Sequence, residues 1–596
     1  MGTARGRLGL QLLENDARRL GHHLLHDFAH RLAIGLELRD QRGENREVTL
    51  LGIHAHRVEP AIHRLDEATV GSDDLSVEVF GQRTLRHAGS IESRSRRFNG
   101  IALIALGACL ISAAVGAVEV PGSGGRLTVS GYLDGRAIAD TGGGPRERPQ
   151  ALLDLRLDGT PTHALHTHLD LRTRVGGPFE GGHQGVYNFN HTFQNRSPAV
   201  EVNEAYAEWH LRRADARVGI QKVAWGRLDG IPPTDVVNPR DFHDPLVDDF
   251  EERKIGIPAL LGTYYLPDVP SLGLSGLRTT LVYTPLPVPP LLALVEERWF
   301  PTSTVPPARF VISKSLASEI LGMPVAGPLI IPVTFRTLNH RPPHQFDEGG
   351  VGFRLGGSLG ESDWDIYHYT GPETNPDADL RPELFLRSPT PLSLRSVTSL
   401  TQVNDAIHMT GADWAMPIGG VTVRAEAAYF MDRPYLRLAS DLISPAALRA
   451  LPFQAILRQL QRKGHAPVPL GDLFVDRDSV EWGVGADSVY HGFQPLLQLN
   501  QIVLLEAAPR LLIHDPETRL STLLRRRFLG ERLELEVRTN YAIERGAWFA
   551  FPRASYLVTD DLRVRLGYLA IGGTRKSIIG QFHDNDEVVL QARYSF

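Results

Sequence analysis

The amino-acid sequence predicts an all-β protein, a transmembrane antiparallel β-barrel of about 16–18 strands with long outer or inward-folded loops that contain some helix. Three observations lead to this fold class. Segments of about 9–12 residues alternate apolar and polar side chains, short connections alternate with long ones, and the last strand ends on an aromatic residue.

The composition excludes several other classes of protein. The chain has 596 residues, of which 42% are hydrophobic and 22% are charged, so it is not a disordered chain. The net charge of −6 gives no basic excess for nucleic acid, which is not expected as a partner. The single cysteine, Cys109, excludes a disulfide scaffold and a multi-cysteine metal site. Only one long apolar run occurs, which excludes a polytopic helical membrane protein.

Three regions are predicted along the chain: an upstream extension at 1–95, a signal peptide at 96–117 and the barrel at 118–596. An apolar stretch follows an arginine-rich segment and ends on small residues, which is the pattern of a secretory signal peptide. Since a signal peptide normally starts a protein, the extension is expected to be absent from the mature chain, which would begin at Val118. A membrane anchor and a lipoprotein signal at Cys109 are the alternatives to the signal peptide, and a real cytoplasmic or pro-segment is the alternative for residues 1–95. The expected location is the bacterial outer membrane.

The clearest two-faced strands are 165–175 and 533–543. In both, every second residue is mostly apolar and the residues between are ionisable or polar. One face would contact lipid and the other a wet lumen. The predicted lumen-lining residues are His166, His168, Asp170, Arg172, Arg174, Glu534, Glu536 and Arg538.

Eighteen segments can be assigned as strands, with 518–528 the weakest because its alternation is poor. Tight turns follow every second strand, for example at 159–161 and 529–531, whereas most other connections are longer. This segregation is typical of outer-membrane barrels. The predicted strands lie near 125–136, 149–158, 163–175, 200–212, 215–223, 257–267, 276–285, 350–359, 363–371, 405–415, 420–430, 479–490, 494–506, 518–528, 532–543, 547–557, 561–570 and 585–596.

The C-terminal residues Tyr594 and Phe596 end an alternating strand with an aromatic residue at the last and third-last positions. This ending resembles the assembly signal of bacterial outer-membrane proteins. It implies two partners, the barrel-assembly machinery and the lipid bilayer of the outer membrane.

The run 225–241 is the most specific motif in the chain. It resembles a family of Gram-negative outer-membrane barrels of unassigned function that is related in architecture to alginate-export porins. The resemblance implies no catalytic residues, and it implies an inner-membrane exporter of the resistance-nodulation-division class as a partner. The residues that carry it are Trp225, Gly226, Asp229, Pro233, Asp235, Asn238, Pro239 and Asp241.

Three segments are too long for plain loops: 224–256, 286–349 and 432–478. The first ends in an acidic cluster, which could hold calcium but is more typical of a solvated loop. The second contains the apolar stretch Leu316–Phe335, whose prolines forbid a spanning helix. Both are expected to fold inward and narrow the lumen. The third has a helical pattern at 446–462 and would cap or constrict the pore.

These features predict a porin-like transport channel rather than an enzyme. The solute is unidentified, and the apolar stretch favours an amphipathic or hydrophobic one. An outer-membrane lipase or protease and a structural or adhesive barrel are the alternatives. No cofactor is expected, and His166 and His168 lack a third ligand that would make them a metal site.

Overall fold

The computed structural model describes residues 118–120, 123–142, 147–176, 199–291, 293, 298–301, 308–338, 349–375, 377–389, 391–403 and 405–596. The predicted upstream extension and signal peptide lie outside the described residues. Among the residues described, no helix is long and apolar enough to cross a membrane.

The described chain forms two β-sheets and four short α-helices. In chain order the strands are β1 (Val118–Glu119), β2 (Leu127–Asp140), β3 (Glu147–Thr162), β4 (Leu165–Gly176), β5 (Ala199–His210), β6 (Ala214–Gln221), β7 (Ile257–Tyr265), β8 (Leu274–Thr284), β9 (Arg309–Ile312), β10 (Leu329–Leu338), β11 (Gly350–Leu359), β12 (Ser362–Pro372), β13 (Asp377–Pro389), β14 (Leu392–Val403), β15 (Ala406–Ile418), β16 (Val421–Leu436), β17 (His465–Pro467), β18 (Phe474–Ser488), β19 (Phe493–Leu504), β20 (Glu517–Phe528), β21 (Leu533–Ala542), β22 (Ala547–Leu557), β23 (Leu562–Gly572) and β24 (Glu587–Ser595). The helices are α1 (Lys314–Leu321), α2 (Ala439–Leu442), α3 (Pro445–Ala450) and α4 (Phe453–Lys463).

The larger sheet closes on itself as a barrel. This sheet has nineteen strands. The short β1 pairs with two residues of β2, and the other eighteen strands form an antiparallel ring. The last strand closes the ring, because β24 pairs with β2 from Tyr132↔Ser595 to Asp140↔Glu587. The predicted all-β barrel is confirmed. Each of the eighteen predicted strands overlaps a strand of the ring, including the weak segment 518–528.

Connections of different length lie at opposite rims of the barrel, as expected. The turn rim carries short links such as 360–361 and 529–532, and the outer rim carries 222–256, 285–349, 373–405 and 437–473. One predicted turn is wrong. Residues 159–161 belong to β3, because a register shift after Gly159 lets the β3–β4 pairing continue to Thr162↔Leu165.

The two faces of the barrel wall differ in polarity. On β21, Leu535 and Val537 are 44% and 39% exposed, whereas Glu536 and Asn540 are 4% and 5% exposed. Alternation therefore separates an outward apolar face from an inward polar face, as the period of two requires.

Replacing Val537 by arginine should lower the free energy of unfolding by about 2–4 kcal/mol, the cost of a guanidinium near the middle of a lipid-facing strand. Urea titration of the barrel in lipid vesicles would measure this change. Replacing Leu529, which is 69% exposed in a rim turn, by arginine should cost less than about 0.5 kcal/mol. Equal losses at both positions would contradict the assignment of the outward face.

The smaller sheet belongs to a cap built from three outer-rim connections. Its strand order is β17-β13-β14-β10-β9, antiparallel except for the parallel pair β10–β14. Helices α1, α3 and α4 pack against it. The cap's core is apolar: Ile312, Leu316, Ala317, Leu329, Ile331, Leu384, Leu394, Leu448, Ile456, Leu460 and Ala466.

The cap corrects the expectation for Leu316–Phe335. This stretch forms most of α1 and of β10, and its buried side chains Leu316, Ala317, Leu329 and Ile331 lie in the cap core. The reason is that β13 and β14, for which the sequence predicts no strand, supply an apolar partner surface through Leu384 and Leu394. The helical pattern at 446–462 is confirmed as α3 and α4, interrupted before Phe453.

The cap rests on one side of the barrel mouth. Inward-facing Ile138, Phe551, Leu569 and Val589 share an apolar cluster with cap residues. The three connections contribute Ala293, Trp299, Phe300, Ala378, Leu400, Leu442 and Leu473 to this cluster, which also contains Val247 from residues 222–256 and Ile571 from β23.

Candidate functional site

Residues 222–256, here called the lumen loop, join β6 to β7 and contact inward-facing side chains on both sides of the barrel. Asn238 closes its neck. The Asn238 side chain accepts from the Val223 N–H at 2.7 Å and donates to the carbonyls of Gln221 and Ile255 at 3.1 and 2.8 Å. One side chain thereby ties both ends of the loop together.

The first half of the loop binds an acidic wall, defined as Asp365 on β12, Asp413 on β15 and Glu426 on β16. Arg227 donates to Asp413 at 2.6 Å and to Asp365 at 2.7 Å. All three wall carboxylates are at least 96% buried. Buried carboxylates need charged partners, so this wall holds Arg227 strongly.

Glu426 also anchors the loop backbone. It accepts from the N–H groups of Arg227, Leu228 and Thr234 at 3.0, 3.2 and 2.7 Å, and from the Thr234 hydroxyl at 2.6 Å. Gly226 makes this approach possible. Its φ is +81°, and a Cβ there would lie 2.7 Å from a Glu426 oxygen.

Trp225 fixes the loop against the wall by apolar contact. Its ring lies 5.1 Å from the Tyr367 ring and 6.2 Å from the Tyr369 ring, and it covers Gly352. Trp225 is 3% exposed. The predicted motif residues Trp225 and Gly226 therefore seat the loop on the acidic side of the barrel.

The second half of the loop binds an arginine wall, defined as Arg136, Arg174, Arg538, Arg553 and Arg593. Its partners are the acidic residues that sequence reasoning placed in a solvated cluster. Asp248 pairs with Arg136, Asp249 with Arg538 and Arg553 at 3.1 Å each, Glu252 with Arg593 at 3.1 Å, and Asp241 with Arg174 at 3.5 Å.

The acidic cluster is therefore paired, and the expectation of a solvated loop is wrong. Asp244, which is 2% exposed, accepts from Gln150 at 3.0 Å and from the Trp299 indole N–H at 2.9 Å. Asp235 pairs inside the loop with Arg240 at 2.7 Å and Lys254 at 2.9 Å. Arg227 in the first half of the lumen loop and the acidic residues in its second half carry opposite charges. These charges hold the loop between the acidic wall and the arginine wall.

The charge of Asp249 depends on its two arginine partners. Burial alone would raise the pKa of the Asp249 carboxyl, but the Arg538 and Arg553 guanidiniums outweigh burial and lower its pKa from 3.8 to about 2. A lowered folded-state pKa gives stability that is complete above the unfolded value of 3.8 and is lost as the pH falls through about 2.

Replacing Asp249 by asparagine should lower the free energy of unfolding at pH 7 by about 1 kcal/mol, a value reduced for solvent screening because the side chain is 43% exposed. Urea titrations should show the same deficit down to about pH 5, and only a small part of it should remain near pH 2. Asp560→Asn, in an exposed turn of the described chain, is the matched control and should show no deficit at either pH. A deficit that grows towards acid would contradict this ion pair.

The predicted lumen-lining residues lie on the inward face in two groups. On β4, His166 lies 3.6 Å from Asp158, His168 2.7 Å from Asp158, and Arg172 2.9 Å from Asp154, while Asp170 accepts from Asn203 at 2.6 Å. On β21, Glu534 pairs with Arg527 at 3.0 Å and Glu536 with Arg525 at 2.7 Å. Arg174 and Arg538, one from each group, reach the lumen loop.

The remaining motif residues have different surroundings. Asp229 is mostly exposed and lies 3.8 Å from Arg424. Pro233 is buried, and the Pro239 carbonyl accepts from the Ile255 N–H at 2.9 Å. Asp241 accepts from the backbone and ring of His243. The predicted assembly residues end the closing strand, where Tyr594 is 4% exposed.

Sequence reasoning missed the acidic wall. Asp365, Asp413 and Glu426 each stand at a polar position of a two-faced strand, and that alternation is the only signal for them. The pattern places them inside the barrel but does not tell which loop residue they meet.

The lumen loop leaves little space against the arginine wall. The cavity between them, lined by residues such as Tyr132, Gln150 and Glu252, has a volume of about 30 Å³. This is room for about one or two water molecules. The loop and the arginine wall are therefore in direct contact here, with little space between them around Tyr132, Gln150 and Glu252.

Several known structures have chain traces similar to this one, among them a protein described as an outer membrane protein, OpdK. OpdK of Pseudomonas aeruginosa is 10% identical, with a TM-score of 0.40 over 79% of this chain and 98% of that chain. Salmonella typhi OmpF, in a complex with daunomycin, is 11% identical, with a TM-score of 0.34 over 80% of this chain and 100% of that chain. Acinetobacter baumannii OccAB3 is 9% identical, with a TM-score of 0.37 over 79% and 99%.

Comparison of sequences gives a family. No curated protein matches the chain. A family model does match residues 180–508, more than half of the chain, and this range contains the whole lumen loop and the acidic wall. Kinship with alginate-export porins stays a prediction. The chain belongs to the family described as "Protein of unknown function (DUF1302)".

Proposed function

We propose that this protein is an outer-membrane channel whose lumen loop narrows the barrel and restricts passage to selected solutes. The observation that carries the proposal is the lumen loop, which is held between an acidic and an arginine wall inside a closed barrel. An eighteen-stranded barrel would otherwise leave a water-filled channel. The signal peptide at 96–117 would deliver the chain to the outer membrane.

The charges of the acidic wall and the arginine wall also favour a channel that is selective for its solute. Carboxylates on one side of the barrel and guanidiniums on the other hold the loop across the lumen, so the passage beside the loop is bordered by ion-paired side chains of both signs instead of a ring of one sign. The solute was predicted to be amphipathic or hydrophobic because Leu316–Phe335 was expected in the mouth. The buried side chains of that stretch, such as Leu316, Leu329 and Ile331, lie in the cap core instead, and they give no reason to expect an apolar solute.

Removing the lumen loop tests the proposal directly. Gln221 and Ile257 are register partners on neighbouring strands, so a short glycine–serine link can replace 222–256 without moving either strand. The walls that lose their partners would then be hydrated by the open lumen. We expect planar-bilayer conductance to rise several-fold, with assembly checked by heat-modifiable migration on gels.

Two other conductance results would count against the proposal. Equal conductance of both proteins would show that the loop does not narrow the passage. If neither protein conducts, the channel proposal fails and a structural or adhesive barrel is favoured, with the cap as its surface domain. A matched control is Arg381→Ala, which removes an exposed cap ion pair and should leave conductance unchanged.

A further inference from the structure

Three inward-facing residues on neighbouring strands come close enough together to bind one ion. His168 and Asp170 are two residues apart on β4 and therefore point to the same face, and Glu204 is the register partner of Asp170 on β5. One ligand atom from each residue lies within 4.8 Å of the other two. A metal ion at bond lengths of about 2.0–2.2 Å would fit among atoms at such separations with small side-chain movements.

A carboxylate outside this trio orients the histidine. His168 Nδ1 lies 2.7 Å from an Asp158 oxygen, and the Tyr206 ring stacks on the imidazole at 5.2 Å. When Nδ1 donates to a carboxylate, Nε2 keeps its lone pair for a metal. Metal-binding histidines are commonly held in this way.

Asp170 has one oxygen that the protein leaves without a donor. Its Oδ2 accepts from Asn203 at 2.6 Å, but its Oδ1 is buried and has no hydrogen-bond partner. The Arg172 Nε is 4.0 Å from Oδ1, too far for a hydrogen bond. The residue is 3% exposed. A buried carboxylate oxygen without a partner is costly, and a cation would remove that cost.

Glu204 connects these residues to the lumen loop. Its Oε1 accepts from the backbone N–H of Lys222, the first residue of the loop, at 3.0 Å. The carboxylate is held at one oxygen, and Oε2 can turn to a ligand. Asp154 takes up part of the nearby positive charge, because it accepts from Arg156 at 2.8 Å and from Arg172 at 2.9 Å, and the Lys222 ammonium is a further cation close to Glu204 and Asp170.

We propose that His168, Asp170 and Glu204 form a binding site for a divalent first-row transition-metal ion on the inner wall, at the root of the lumen loop. One imidazole nitrogen with two carboxylate oxygens suits Zn²⁺, Mn²⁺, Fe²⁺ or Co²⁺, whereas Ca²⁺ and Mg²⁺ prefer oxygen ligands alone. Three protein ligands leave at least one position for water or a passing solute. In the sequence, His166 and His168 lack a third ligand. In the structure, Asp170 and Glu204 are the two ligands that accompany His168, and His166 is not part of the site.

Isothermal titration of the assembled, chelator-treated barrel with Zn²⁺ tests the site. The protein should carry no polyhistidine tag. We expect one ion per chain, and at least tenfold weaker binding in each of His168→Ala, Asp170→Asn and Glu204→Gln. Asp158→Asn, which removes the orienting carboxylate, should weaken binding about 10- to 100-fold. Mg²⁺ should give no binding heat.

Controls keep the outcome interpretable. His166→Ala changes the neighbouring histidine on the same face and His210→Ala an exposed one, and both should bind Zn²⁺ as the wild type does. Heat-modifiable migration shows that each variant assembles. In wild-type protein, bound Co²⁺ should give visible absorption that His168→Ala loses. Absence of Zn²⁺ binding, or unchanged binding in the three ligand variants, would overturn the site. Neither readout involves conductance, so the site and the channel can fail separately.

Discussion

Replacing Phe596 by aspartate should reduce the amount of assembled barrel at least tenfold. Phe596 completes the seam at which the last strand meets the first strand of the ring. Its N–H donates to the Gly131 carbonyl and its carbonyl accepts from the Gly131 N–H, both at 2.9 Å. Heat-modifiable protein in the membrane fraction measures assembly. We expect this loss for two reasons: the predicted assembly signal ends on the Phe596 side chain, and a carboxylate at this rim would be costly next to lipid.

The ring of Phe596 packs against the seam as well. A Cβ on Gly131 would lie 3.0 Å from the Phe596 Cζ, so the glycine leaves room for the aromatic ring. Phe528→Asp provides a matched control, because Phe528 ends β20 at the same rim but within the ring, where β20 is already paired on both sides. It should assemble at close to the wild-type amount. Equal loss in both variants would show that the rim only requires an aromatic residue and that Phe596 has no special role.

The barrel strands could be predicted from the sequence because alternation is a local property. A strand such as 533–542 shows its two faces in its own residues, whatever its neighbours are. The cap strands could not be predicted in the same way. Strand β10 pairs in parallel with β14, about sixty residues further along the chain. The residues of β10 and β14 do not themselves indicate which strand each pairs with.

The site was predictable to a similar extent. The acidic residues of the lumen loop and the arginines of the strands are visible in the sequence, and their positions on the inner face follow from alternation. Their pairing is not visible, because Arg227 and Asp413 are 186 residues apart. The alternation of charged residues in the sequence therefore predicts a polar lumen. The fold is needed to show that these charged side chains hold the lumen loop in place.

Replacing Arg227 by methionine should lower the free energy of unfolding by about 3 kcal/mol and raise conductance several-fold. The main cost falls on Asp413, which is 4% exposed and would keep only the Tyr367 hydroxyl as a side-chain partner. Asp365 would retain Arg354 at 2.8 Å and Arg278 at 3.1 Å. A buried carboxylate without its cation is strongly destabilising, and the first half of the lumen loop would lose its charged contact with the acidic wall.

A second substitution separates the ion pair from simple loss of packing. Adding Asp413→Asn to Arg227→Met removes the unpaired charge, so the double variant should recover part of the lost stability, and a double-mutant cycle would give the coupling. It should not recover the wild-type conductance, because Arg227 no longer holds the loop. Arg381→Met breaks an exposed ion pair of 2.8 Å in the cap and should cost less than about 1 kcal/mol. If Arg227→Met behaves like this control in both measurements, the acidic wall does not hold the lumen loop, and Glu426 and Trp225 must be sufficient to seat it.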